Sequence, residues 1–171
     1  MFQSFFPQPK MFFSSLAIWC GLLILVWYSF GQTIGEAIGF DLSEKEQVIG
    51  LGHFITSEFL WFDTFFAFGT IAFFLVWRFH SPHEWQIWSV LGSALLIYLS
   101  YASVQVSVVI NAWYGPFYDD VQKALGGGGE VSAADLYGHL LVFCIIVLPY
   151  ILFVPFKIFF TSHYVFRLSL I

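Results

Sequence analysis

From Trp85 to Trp113 the chain runs 29 residues without a charged side chain. At 1.5 Å per residue a helix of that length reaches about 43 Å, well past a hydrocarbon core of about 30 Å. Such a helix must tilt in a bilayer or protrude from it. Three other stretches have the same character: 11–30, 59–77 (interrupted only by Asp63) and 136–156. The expectation is an all-α integral membrane protein with four transmembrane helices, at about 11–30, 59–77, 85–113 and 136–156. Composition agrees. Only 10% of the residues are charged, against about 25% in soluble domains. The 23 phenylalanines and seven tryptophans suit a protein with aromatic belts at the interfaces.

The first apolar run is not a signal peptide by its pattern. It is too long for an h-region, carries only Lys10 before it and lacks a small-residue cleavage site. Ser81, Pro82 and Glu84 have the spacing of an N-cap, a first-turn proline and a capping box for the third helix. Ser132 and Asp135 give the fourth helix a similar start. Pro149 and Pro155 each remove a backbone donor from that helix, and a kink is expected there and at Gly115-Pro116. The run Gly126–Gly129 reads as a flexible link, because no Lys-Ser/Thr pair follows it to make a phosphate loop. Cys20 and Cys144 have no CxxC partner and are expected to be small buried hydrophobes.

Charge placement predicts orientation. Lys10, Arg78, Lys157 and Arg167 fall on one side of a four-span arrangement, and Lys45 and Lys123 on the other. The positive-inside rule puts both termini in the cytoplasm. Glu36, Asp41, Glu44, Glu46, Glu58, Asp119, Asp120, Glu130 and Asp135 then lie outside, Glu84 lies inside and Asp63 is embedded. The acidic loops either attract cationic solutes or simply keep the loops soluble.

The third helix carries the most informative pattern. Ser100, Ser103, Ser107, Asn111, Tyr114, Tyr118 and Gln122 recur at steps of three and four, which is one helix face. Trp113, Phe117, Val121 and Leu125 make a neighbouring apolar stripe. A polar stripe in a span either bonds across packed helices or borders a wet cavity. The size of Asn111, Tyr118 and Gln122 favours a cavity. Asp119 and Asp120 are expected near the start of a separate outer segment, where a helix N-terminus favours negative charge. Asp63 and Glu58 are the embedded or near-embedded acids. A carboxylate inside a span is costly and is the raw material of proton relays, although one this shallow can also reach headgroups or pair locally. The two acids lie about 140° apart on a helix and do not share a face. His53 and His139, near the same end, are further groups able to take a proton. His80 and His83 lack a third metal ligand. No Ser/His/Asp or Cys/His set is spaced for catalysis, so no enzyme activity, cofactor or metal is expected, nor any nucleic-acid partner.

Four stretches carry a resemblance: MFQSFFP at the start, SPHEWQIWSVLG at 81–92, NAWYGPFYDDVQKAL at 111–125 and SHYVFR at 162–167. Their order and spacing resemble the SbmA/BacA peptide-antibiotic transporters of bacterial inner membranes. The set Asn111, Trp113, Phe117, Tyr118 and Asp119 is also similar to the membrane halves of some ABC transporters. The resemblance implies a membrane domain like that of an ABC exporter but without an ATPase, working as a homodimer driven by the proton gradient. It implies import of peptides, including antimicrobial peptides and microcins. Ser103, Ser107, Asn111, Tyr114, Tyr118 and Gln122 would then line the substrate cavity. Trp113, Phe117 and Asp119 would be family-motif positions, and Glu58 and Asp63 proton-coupling candidates. Only Glu58 resembles an acidic family position. Family members continue past SHYVFR into a long basic helix and further spans, where most of their proton-carrying glutamates lie. Residues 1–171 are therefore expected to be the N-terminal portion of one such domain, not a transporter on their own. The alternatives are the membrane half of an ABC-type exporter lacking its ATPase, and a small structural membrane subunit.

Overall fold

A computed structural model describes residues 6, 8–43, 48–127 and 131–169, and the regular structure among them is helical. Helix α1 is Pro9–Ile38, α2 is Ser57–His80, α3 is Ser93–Leu125 and α4 is Ala133–Ser169. A 3-10 turn, Leu51–Ile55, precedes α2, and a π-helical turn, Ile87–Gly92, leads into α3. Four helices are long and apolar enough to span a membrane: Pro9–Ile38, Ser57–His80, Ile87–Leu125 and Ala133–Ser169. In the most apolar stretch of each, at most 22% of the residues are buried. Most of this apolar surface therefore has no protein neighbour in the described chain and needs lipid or another protein surface as its solvent.

The helices outrun the expected spans, since hydropathy marks the lipid-soluble part of a helix and not its ends. α1 continues past Phe30 and stops where Gly39 adopts a left-handed φ of 107°, its N–H bonded to the carbonyls of Gly35 and Glu36. That is a glycine C-cap. Asp41 then closes a short turn by accepting from the Ser43 backbone N–H and hydroxyl, and these bonds hold its carboxyl below the usual carboxylate range. α4 begins as its sequence suggests: Ser132 N–H and Oγ donate to Asp135 Oδ2, and Asp135 N–H returns to Ser132 Oγ.

Three local expectations fail. Ser81 does not cap the third helix: it ends α2, its N–H bonded to the Trp77 carbonyl, and lies too far before the next helix for its hydroxyl to cap it. Helical geometry resumes only after His83, whose Nδ1 accepts from the Trp85 N–H at 3.2 Å. α3 passes through Gly115 and Pro116 without a break, so no separate outer segment begins there. α4 is also continuous through Pro149 and Pro155, so neither proline ends it, which leaves the expected kinks neither met nor contradicted. Cys20 and Cys144 are exposed, not buried. An apolar stretch of a membrane helix reports its solvent and not its burial in protein. Glu44, Lys45 and Glu46, Gly128, Gly129 and Glu130, and most of the MFQSFFP stretch lie outside the described residues.

The chain forms two compact units. The first comprises Met1–Lys45, Ser57–Tyr98 and Phe159–Ile171. Its core is Phe6, Phe12, Phe73, Trp77 and Val90, with Trp88 and Tyr164 packed against it. The second comprises Glu46–Thr56 and Leu99–Ile158, with a core of Val109, Trp113 and Ile146.

Candidate functional site

In the second unit, one side of α3 is held by α4. Val109 and Trp113 are almost fully buried, at 1% and 4% exposure. The Trp113 ring stacks on Phe117 at 4.6 Å and meets Phe143 of α4 at 4.7 Å, while its indole N–H donates to the His139 carbonyl at 2.8 Å. At about 100° per residue, the centre of the polar stripe lies roughly opposite Val109. The structure agrees: Ser107, Asn111, Tyr114, Tyr118 and Gln122 are all exposed, and Ser103 is half-buried. Asp119 is exposed beside them.

The serines of this stripe need no partner on another helix. Ser103 Oγ donates to the Leu99 carbonyl and Ser107 Oγ to the Ser103 carbonyl, one turn back along their own helix. Tyr114 and Tyr118 stack on each other at 5.8 Å and present a flat aromatic surface. The five-residue motif Asn111, Trp113, Phe117, Tyr118 and Asp119 is thus divided. Trp113 and Phe117 hold the helix pair together, and Asn111, Tyr118 and Asp119 point away from it.

Three pairings border α3 that its sequence did not announce. Lys157 of α4 donates to Ser103 Oγ at 3.1 Å. This places a cation at the edge of the stripe, not in a loop after the fourth span. His53 Nε2 meets Gln105 Oε1 at 2.9 Å. Near the Leu125 end, Asp120 Oδ2 pairs with His139 Nε2 at 3.0 Å and Asp120 Oδ1 with Lys123 at 3.5 Å. Asp119 and Asp120 therefore lie near a helix C-terminus and not at an N-terminus, because α3 never ends at Pro116. Asp120 is stabilised by its partners instead of by a helix dipole. Periodicity finds a face of one helix, but it carries no signal for which residue 50 positions away will lie across from it.

The two acid candidates belong to the first unit, and the structure does not bring them together. Glu58 is exposed in the first turn of α2. Asp63 is half-buried one turn further in. The Tyr98 hydroxyl donates to its Oδ2 at 3.0 Å, whereas its Oδ1 is buried with no hydrogen-bond partner among the described residues. Of the two readings of Asp63, local pairing is met by one oxygen only. No group of three or more His, Cys, Asp or Glu side chains able to hold a metal occurs among the described residues.

Two of the sequence stretches quoted above pack on one another in the first unit. Gly92 admits the Tyr164 ring: a Cβ there would lie 3.0 Å from it. The Tyr164 hydroxyl meets Ser93 Oγ at 2.6 Å. Trp88 stacks on Phe160 at 6.3 Å and lies under the Arg167 guanidinium at 5.2 Å. SPHEWQIWS and SHYVFR are thus two sides of one contact, which a reading of each stretch alone does not reveal.

Residues 82–170 match the SbmA/BacA-like family, and the match contains both halves of that contact and the whole of α3. It covers more than half of the 171 residues. With four helices able to span a membrane, family membership makes a multi-pass membrane transporter the consistent description, and peptides the suggested cargo. The chain belongs to the SbmA/BacA-like family.

Proposed function

We propose that the chain contributes the N-terminal part of an inner-membrane importer of peptides, antimicrobial peptides and microcins among them, driven by the proton gradient. In this reading it works as a homodimer with the architecture of an ABC-exporter membrane domain, and both termini are cytoplasmic. The polar face of α3 lines the substrate path. Ser103, Ser107, Asn111, Tyr114, Tyr118 and Gln122 contact the peptide, with backbone-like hydrogen bonding from the amides and stacking from the tyrosine pair. Proton coupling involves Glu58 and Asp63. The Asp63 oxygen without a partner among the described residues supports that assignment, because no protein donor occupies the position a proton would take.

One observation carries the reading. On a helix whose opposite side is packed to 1% and 4% exposure, Ser107, Asn111, Tyr114, Tyr118 and Gln122 are all left exposed. Ser103, half-buried at the edge of the stripe, meets Lys157 of α4.

The test is single-cysteine labelling at positions 103, 107, 111, 118 and 122 with a bulky, water-soluble maleimide. Modification at all five is expected, with protection when a proline-rich peptide is added. Silence at every position would exclude the cavity. In the protein expressed from its complete reading frame, Asn111→Ala with Tyr118→Ala is expected to lower uptake of a fluorescent proline-rich peptide at least about tenfold, the loss of roughly two polar contacts of about 1 kcal/mol each. Unchanged uptake at equal expression would remove these two side chains from the path.

A further inference from the structure

α1, α2, the π-helical turn and the first residues of α3 line an open groove of about 570 Å³ within the first unit. Its walls are Phe12, Trp19, Leu23 and Trp27 of α1 with Phe66 and Phe73 of α2. We propose that this groove is a binding site for one acyl chain of an anionic phospholipid, whose phosphate sits at the Lys10 and Arg78 end.

The walls are fixed by bonds that do not involve a ligand. The Trp19 indole donates to the Gly69 carbonyl at 3.0 Å, and the Trp77 indole donates to Ser15 Oγ at 3.0 Å. Phe12 meets Phe73 at 5.5 Å and Trp77 at 5.3 Å, and Trp27 meets Phe65 at 5.1 Å. The volume falls in the range of about 300–1,000 Å³ typical of ligand sites. Along α1 the lining runs from Phe12 to Tyr28, about 24 Å of helix and thus the shape of an extended chain. An apolar groove of this kind does not hold water, and left empty its walls lose their dispersion contacts. At hydrocarbon depth the abundant molecule able to fill it is an acyl chain.

Charge selects the headgroup and its end. The contacts Phe12–Trp77 and Trp27–Phe65 set α1 and α2 antiparallel. Lys10 in the first turn of α1 and Arg78 in the last turn of α2 therefore lie level with one end of the groove, where Glu84 is the one acid in the 81–86 connection. Glu36 of α1 and Glu58 of α2 lie toward the other end. A phosphate is attracted to the first end and repelled from the second. Cations beside a membrane surface favour anionic lipid by about fivefold each.

This inference does not depend on what the protein transports. The chain, purified in mild detergent and examined by native mass spectrometry, is expected to retain one phospholipid and to take phosphatidylglycerol over phosphatidylethanolamine by well over fivefold. Lys10→Gln with Arg78→Gln is expected to abolish that preference and leave acyl binding in place. Thr70→Phe with Ala94→Phe fills the groove from two sides and is expected to remove the bound lipid. A lipid-free wild-type chain, a preference that survives loss of both cations, or a filled variant that still carries its lipid would overturn the proposal. So would a lipid-free dimer in which a second copy protects the groove. If the filled variant does not fold, phosphatidylglycerol with brominated chains decides the matter in the wild type. It is expected to quench the emission that Trp19→Phe with Trp27→Phe removes, and quenching equal in wild type and variant would refute the site.

Discussion

Trp113 sits in the motif that first drew attention to α3, yet it does not face the stripe. It is 4% exposed, stacked on Phe117, set against Phe143 and bonded to the His139 carbonyl. Trp113→Ala is expected to destabilise the helix pair by about 3–5 kcal/mol, the cost of removing a large aromatic from a packed site. Trp113→Phe keeps the stack and gives up one hydrogen bond, about 1 kcal/mol. Unfolding in mixed micelles measures both, and an Ala variant as stable as wild type would mean that the α3–α4 contact does not depend on this ring. The sequence separated these roles in part. A step of four from Trp113 to Phe117 and a neighbouring step of four from Tyr114 to Tyr118 define two stripes about 100° apart, but not which of them meets protein. Only the position of α4 decides that. The same limit hid the Lys157–Ser103 and Asp120–His139 pairs, whose members are individually unremarkable polar residues. Asp63 was legible as an anomaly because charge inside a span is costly, but its partner Tyr98 was not.

At the scale of elements, the four apolar runs were legible because a bilayer demands length and hydropathy from each helix independently. Helix ends were not, because they depend on competition between neighbours. Ser81 has the chemistry of an N-cap, but α2 runs on into it and the next helix starts only after His83, whose Nδ1 accepts from the Trp85 N–H. Pro116 lies in α3 without ending it, because a proline removes one intrahelical hydrogen bond and the helix continues on either side. The π-helical turn Ile87–Gly92 had no signature of its own. It ends where Gly92 and Ser93 receive Tyr164, a contact made across more than 70 residues of sequence. Gly92→Leu is expected to push Tyr164 off Ser93 and cost about 1–3 kcal/mol, as overpacking does. Tyr164→Phe, which keeps the ring and loses the hydroxyl, is expected to cost about 1 kcal/mol. If Gly92→Leu leaves thermal stability unchanged while Tyr164→Phe lowers it, the ring does not seat on the glycine, and the two motif stretches are joined by their hydrogen bond alone.

For the whole molecule, the proposed orientation has residues 10 and 167 on the same side of a four-span arrangement, and rests on where the cations lie. The structure changes the count. Lys157 lies within α4 and is committed to Ser103, so it says less about a flanking loop than its sequence position implied. Lys10 stands in the first turn of α1, Arg78 and Arg167 in the last turns of α2 and α4, and Lys123 in the last turn of α3. The proposal of cytoplasmic termini then rests on three cations against one, a narrower margin than the sequence alone implied. Glu58 in the first turn of α2 and Arg78 and His80 in its last complement that helix's dipole, which stabilises the helix whichever way it faces. A cysteine placed at Gly127 is expected to react with an impermeant maleimide in spheroplasts, and one at Ser81 only after the membrane is opened. Lys10→Glu with Arg78→Glu is expected to produce a mixture of both patterns. The reverse pattern in the unaltered chain would place Tyr118 and Gln122 at the cytoplasmic end of the stripe. The acidic end of α3 would then meet solutes from inside the cell, and the same open face would have to be read as an exit path.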